Sequence, residues 1–70
     1  MNDPAPDHKA ALEGMAQVEE SIASVLALLA DELERQGQPE TADMLQRAGH
    51  QHRAASIQSR ALAASLQMAN

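Results

Sequence analysis

Six residues near the middle of the chain, 35–40, contain the strongest break between two long helix-forming stretches. Gly37 can adopt the left-handed conformation that ends a helix, and Pro39 has the fixed φ angle suited to the first position of the next one. About thirty residues lie on each side, and a short connection leaves two helices side by side. The sequence therefore predicts an all-α fold, an antiparallel, coiled-coil-like two-helix hairpin with its turn at Gly37-Gln38.

The small size of the chain limits its core. Below about 70–80 residues, a single core rarely contributes more than ~3–5 kcal/mol without a disulfide, a metal or a partner. The 70 residues include no Cys, Phe, Tyr or Trp, so the core depends on Leu, Ile, Val, Met and Ala. We expect one small domain that does not depend on an oxidising compartment.

The net charge of −5 is unevenly distributed. Residues 1–43 hold all ten acidic side chains with only Lys9 and Arg35, whereas residues 44–70 hold three arginines and no acid. Folding back at the turn therefore brings an acidic arm beside a basic one, although an exposed pair contributes only about 0–1 kcal/mol. An acidic chain without aromatic residues argues against nucleic-acid binding. The longest apolar run, residues 25–30, is far shorter than the ~20 residues that span a bilayer, which argues against a membrane role.

The first residues, 1–7, are polar, contain two prolines and lack the basic and apolar regions of a signal peptide. They are predicted to form a flexible leader, in which Asp7 or Asp3 caps the first helix. We predict one helical domain over residues 8–70, with helix 1 at about 8–36 and helix 2 at about 39–69. The sequence contains no recognisable signal that targets the chain to another compartment, so a cytoplasmic location is expected.

Large apolar side chains recur along the first helix at steps of three and four residues, which places them on one stripe. The stripe consists of Leu12, Met15, Val18, Ile22, Val25, Leu26, Leu29 and Leu33. It is expected to pack against the second helix. An acidic series, Glu13, Glu20 and Glu34, falls on the far side and is expected to be solvated.

The second helix carries two apolar stripes. The first is expected to face the first helix and consists of Leu45, Ala48, His52, Ala55, Ser59, Leu62, Leu66 and Ala69. The second lies on nearly the opposite side and consists of His50, Ala54, Ile57, Ala61, Ala64 and Met68. A two-helix hairpin cannot cover this second stripe, and Ile57 and Met68 are costly to leave exposed. We therefore predict a partner-binding surface at Ala54, Ile57, Ala61, Ala64 and Met68.

No group of residues has the spacing of a catalytic or metal site. His50 and His52 point about 200° apart on a helix, whereas two ligands for one ion need a spacing of three or four residues. His52 is expected instead to hydrogen-bond a neighbour, such as Glu19 across the hairpin. The sequence has no glycine-rich phosphate loop, nucleophile elbow or Cys/His cluster. We therefore expect no catalytic residue, no metal and no cofactor, and a protein that is not an enzyme.

The turn region also carries a family resemblance. It lies in the stretch Glu32-Leu33-Glu34-Arg35-Gln36-Gly37-Gln38-Pro39-Glu40, followed by Leu45-Gln46. The pattern of Glu-Leu-x-Arg, a short glycine-containing turn, Pro-Glu and a later Leu resembles the small co-chaperones of the needle subunit in bacterial type III secretion. The resemblance implies a hairpin that stabilises a helical-repeat chaperone as a hetero-oligomer, the two proteins together keeping the aggregation-prone needle subunit soluble.

A second class of function is compatible with the same monomer. Two hairpins can bury their Ile57 and Met68 stripes against each other in a homodimeric four-helix bundle that acts as an adaptor or regulator. Both classes are non-enzymatic and depend on protein binding. They differ in whether the partner is another protein or a second copy, which the mass of the purified protein distinguishes.

Overall fold

The computed structural model describes residues 7–68, and the predictions for residues 1–6 and Ala69 lie outside this range. Helix α1 spans His8–Arg35 and helix α2 spans Pro39–Met68, each within one residue of the predicted bounds. The two helices pack against each other, with the turn near residues 36–38. The predicted all-α antiparallel hairpin is therefore confirmed.

The first helix begins at an acidic N-cap. The Ala10 N–H donates to Asp7 Oδ1 at 3.1 Å, which makes Asp7 one of the two predicted caps. Its carboxylate also interacts favourably with the positive end of the helix dipole. The other predicted cap, Asp3, lies outside the described residues.

The turn is a backbone motif that depends on one glycine. Gly37 has a φ of 78°, and its N–H donates to Glu34 O at 3.0 Å. The Gln38 N–H donates to Leu33 O at 2.9 Å, which completes the Schellman arrangement of a helix C-terminus. Pro39 then begins α2, where its missing N–H costs no helical hydrogen bond.

Small residues form the contact line between the helices, which we call the seam. Its members recur every seven residues and are Ala16, Ala23 and Ala30 on α1, with Ala42, Gly49, Ser56 and Ala63 on α2. The seam alanines are at most 2% exposed. A Cβ atom on Gly49 would lie 3.6 Å from Ala23 O, so little more than a methyl group fits between the two backbones there. Seven residues is the repeat of a coiled coil, and small residues at that repeat bring helices close together.

The predicted stripe of large residues does not form this core. On α1, Met15, Val18, Val25 and Leu29 are 49–58% exposed, and Leu12, Ile22, Leu26 and Leu33 are half-buried beside the seam. On α2, Ser59 is buried, whereas Leu45, Ala48, His52 and Ala55 are half-buried and Leu62 and Leu66 are exposed. The predicted packing of these two stripes is therefore right only for their half-buried and buried members, because the helices approach most closely where their side chains are smallest.

Candidate protein-binding surface

The hairpin has two broad faces of opposite character, one on each side of the seam. The polar face consists of residues four positions after seam residues: Glu20, Ala27 and Glu34 on α1, with Gln46, Arg53 and Arg60 on α2. The apolar face is built on residues immediately before seam residues: Met15, Ile22 and Leu29 on α1, with Thr41, Ala48, Ala55 and Leu62 on α2. Because successive helical residues are about 100° apart, the two sets point to opposite sides of the seam.

One carboxylate joins the two helices on the polar face. Glu20 Oε2 accepts hydrogen bonds from Ser56 Oγ at 2.7 Å and from Arg60 Nε at 2.8 Å, and Glu20 Oε1 accepts from Arg60 Nη2 at 3.0 Å. The arginine contact is therefore bidentate. Nearer the turn, Gln46 Nε2 donates to Glu34 Oε2 at 3.4 Å. The prediction of a solvated acidic series is wrong for Glu20, because the basic helix places Arg60 beside it.

We expect this contact to make the stability of the hairpin depend on pH. The hydrogen bonds from Arg60 and then Ser56 lower the pKa of the Glu20 carboxyl from 4.5 to about 2. A carboxyl with a lowered pKa in the folded chain stabilises the fold above about pH 4.5, and that contribution is lost as the pH falls toward 2. Glu20→Gln should therefore melt at a lower temperature than wild type near neutral pH, with the difference shrinking in acid. Thermal melts followed by circular dichroism measure this.

Asp43→Asn is the matched control for Glu20→Gln. Asp43 pairs with Arg47 of its own helix at 2.8 Å, so its loss should change the melting temperature little at any pH. The effect of Glu20→Gln should be modest, because the Glu20 side chain is 45% exposed and salt screens it. Identical pH profiles for the two variants would show that the Glu20 contact does not couple the helices.

Another pair crosses the hairpin beside the seam, as predicted. His52 Nδ1 lies 2.9 Å from Glu19 Oε2, and both side chains are half-buried. His50 is exposed, so the two histidines lie in different surroundings. Within residues 7–68, no group of three or more His, Cys, Asp or Glu side chains could hold a metal ion. Neither described helix contains a segment long and apolar enough to cross a bilayer.

The apolar face has a raised part and a recessed part, which we call its relief, and this shape matters for packing. On α1 it carries a ridge, which we define as Met15, Val18, Ile22, Val25 and Leu29. On α2 it carries a trough, which we define as the half-buried Ala48 and Ala55, with the exposed Met44 and Leu62 toward its ends. Side-chain ridges pack into the grooves of neighbouring helices, so this face has the shape that helix packing requires.

The predicted partner-binding residues lie on a different surface. Ala54, Ile57, Ala61, Ala64 and Met68 are all exposed, on the side of α2 that points away from α1. We call these residues the outer stripe. Ile57 is 65% exposed and Met68 is 86% exposed. The outer stripe thus offers two large apolar side chains from one helix, whereas the apolar face combines large side chains from both.

From hydrophobic periodicity alone, the ridge residues are predicted to lie in the core. That signal therefore does not show that they form a surface. The signal that separates core from surface is the seven-residue repeat of small residues on each helix, such as Ala16, Ala23 and Ala30. Each of these alanines follows a ridge residue directly and points about 100° away from it. The large apolar residues therefore flank the contact line and remain accessible.

The fold and its surfaces define a class, a two-helix hairpin with one polar and one exposed apolar face. Comparison of the chain with protein-family models, with curated proteins and with solved structures finds no match. The exposed apolar residues and the extended shape indicate a protein partner or self-association.

Proposed function

We propose that the chain is a non-enzymatic protein-binding subunit whose apolar face docks on a helical surface of another protein, in the manner of a needle-subunit co-chaperone. The observation that carries the proposal is the ridge, whose members Met15, Val18, Val25 and Leu29 are each about half exposed or more. Burial of apolar surface is favourable by roughly 25 cal/mol per Å². A partner that covers this face buries apolar side chains that stay exposed to water in the hairpin alone, and this burial stabilises the complex.

The kind of partner follows from the resemblance at the turn and from the relief of the apolar face. Members of that co-chaperone family pair with a helical-repeat chaperone, and the two together keep the aggregation-prone needle subunit soluble. Ridge-and-groove relief suits a surface built from packed helices. The apolar contact itself needs no cofactor or metal, so the proposed function requires only a complementary protein surface.

Co-expression with helical-repeat proteins encoded by neighbouring genes tests this function. Val25→Asp places a carboxylate within the ridge, and burying it without a counter-ion is unfavourable. Capture of the partner by the tagged chain should weaken at least ~tenfold, which corresponds to about 1.4 kcal/mol. Because Val25 is 55% exposed in the hairpin, the variant should remain helical by circular dichroism.

Ile57→Asp is the matched control, and it also tests the outer stripe. The substitution adds the same charge at a similarly exposed position on the other side of the molecule. If the apolar face binds the partner, Ile57→Asp leaves capture unchanged. If the outer stripe binds it, Ile57→Asp abolishes capture and Val25→Asp does not. Normal capture by both variants would refute both surfaces.

A further inference from the structure

We infer that a second copy of this chain covers the apolar face when no other protein is bound, forming a two-fold symmetric four-helix bundle. This inference rests on the proposed function, which places the binding surface on the apolar face. It adds what covers that face, a second copy of the chain, and how the two copies are arranged. Its consequence is competition, because one face cannot hold a second copy and another partner together. Self-association would then protect the ridge until the other partner displaces it.

The composition of the seam explains why a second copy is needed. The most buried residues are alanine, glycine and serine, which contribute little apolar area at roughly 25 cal/mol per Å². Ordering the backbone costs about 1–2 kcal/mol per residue, which such a core offsets poorly. Burying the ridge of each copy adds the large side chains that the seam lacks. A second copy is also the partner that is present wherever the chain is made.

The apolar face is large enough for a stable dimer. An interface of standard size covers about 800 Å² on each partner. At about 1.5 Å per residue the 30 residues of α2 span about 45 Å, and two packed helices are about 20 Å wide with their side chains, so contact over most of the broad face, about 900 Å², reaches that size. A contact of this kind is isologous, with the same patch used by both copies.

The relief of the face selects one symmetric arrangement. If the two-fold axis runs parallel to the helices, α1 of each copy lies on α2 of the other, and each ridge meets a trough. If the axis runs across the helices, ridge meets ridge and trough meets trough, which leaves voids beside Ala48 and Ala55. Protein interiors are close-packed, so the first arrangement is favoured.

Cysteine cross-linking tests the arrangement, since the natural chain has no cysteine. On oxidation, Ile22→Cys chains mixed with Ala55→Cys chains should form a mixed disulfide, because ridge lies on trough. Ile22→Cys chains alone should not link, because the two α1 helices are diagonal in the bundle. Linking of Ile22→Cys to itself would overturn the arrangement. Linking of Ile57→Cys to itself would place the contact on the outer stripe and overturn the surface.

Light scattering of the full chain tests whether a second copy covers the apolar face. We expect twice the 7.5 kDa mass of one chain and a melting temperature that rises with concentration. Val25→Asp should raise the dimer dissociation constant at least ~tenfold, and Ile57→Asp should leave it unchanged. A mass of 7.5 kDa at every concentration would overturn the inference of a dimer. The proposed function would then still be tested by capture of a helical-repeat protein. A dimer sensitive to Val25→Asp supports the inference even if no such protein is captured.

Discussion

Replacing Ala23 by leucine is expected to unfold the hairpin. Ala23 is 1% exposed at the centre of the seam, opposite Gly49 of α2. The larger side chain has no space unless the helices separate, and overpacking of this kind costs about 1–3 kcal/mol, occasionally more. A core of this size contributes only ~3–5 kcal/mol, so most of the stability should be lost. Urea and thermal unfolding followed by circular dichroism at fixed chain concentration measure the loss.

Two control substitutions separate overpacking from other effects of the Ala23→Leu change. Ala27→Leu adds the same side chain one turn later at an exposed position and should leave stability nearly unchanged. Gly49→Ala adds only a Cβ, which meets Ala23 O and the Leu26 Cβ at an ordinary 3.6 Å. Since glycine costs about 1 kcal/mol relative to alanine in a helix interior, this variant should be more stable than wild type. A wild-type melt for Ala23→Leu would show that the seam is not the core.

Local sequence signals were sufficient to predict the fold. Gly37 and Pro39 determine where α1 stops and α2 starts, and Asp7 determines where α1 begins. Each acts through its own backbone geometry or its nearest neighbours, so no knowledge of tertiary packing is required. The hairpin then follows from the shortness of the connection.

The contact line could not be predicted from hydrophobicity, because packing distance and hydrophobicity favour different residues here. Ile22 and Leu29 are large apolar residues of the predicted stripe on α1, yet the closest approach is made by the buried Ala23 and Ala30 beside them. Steric fit decides, since two helices that meet at small residues gain backbone contact that large residues prevent. Ile22 and Leu29 point about 100° away from Ala23 and Ala30, so they lie outside the core and form part of the exposed face.

The cross-helix polar contacts were predicted in one case and missed in another. The Glu19–His52 contact lies beside the seam, so an error in the seam position of about one residue left it intact. Glu20 was placed among solvated acids because its position was judged from α1 alone. Its actual surroundings depend on Ser56 and Arg60 in the second half of α2, which only the antiparallel register brings near.

Replacing Gly37 by valine is expected to destabilise the turn and, with it, the whole hairpin. The φ of 78° lies in the left-handed region, which costs a residue with a Cβ atom roughly 1–2 kcal/mol. A β-branched side chain is the least suited to that region. For a domain of this size, each kcal/mol lowers the melting temperature by about 4–8 °C, so the shift should be easily measured by circular dichroism.

Gly37→Asn is the control, because asparagine tolerates the left-handed conformation better than other residues with a side chain. No other heavy atom lies within 4 Å of the position of a Cβ on Gly37, so neither variant is limited by space. The loss of stability should therefore follow backbone strain and be larger for valine than for asparagine. If both variants lost the same stability, the left-handed conformation would not be what the turn requires, and the Gly37 and Gln38 N–H bonds to the end of α1 would need another explanation.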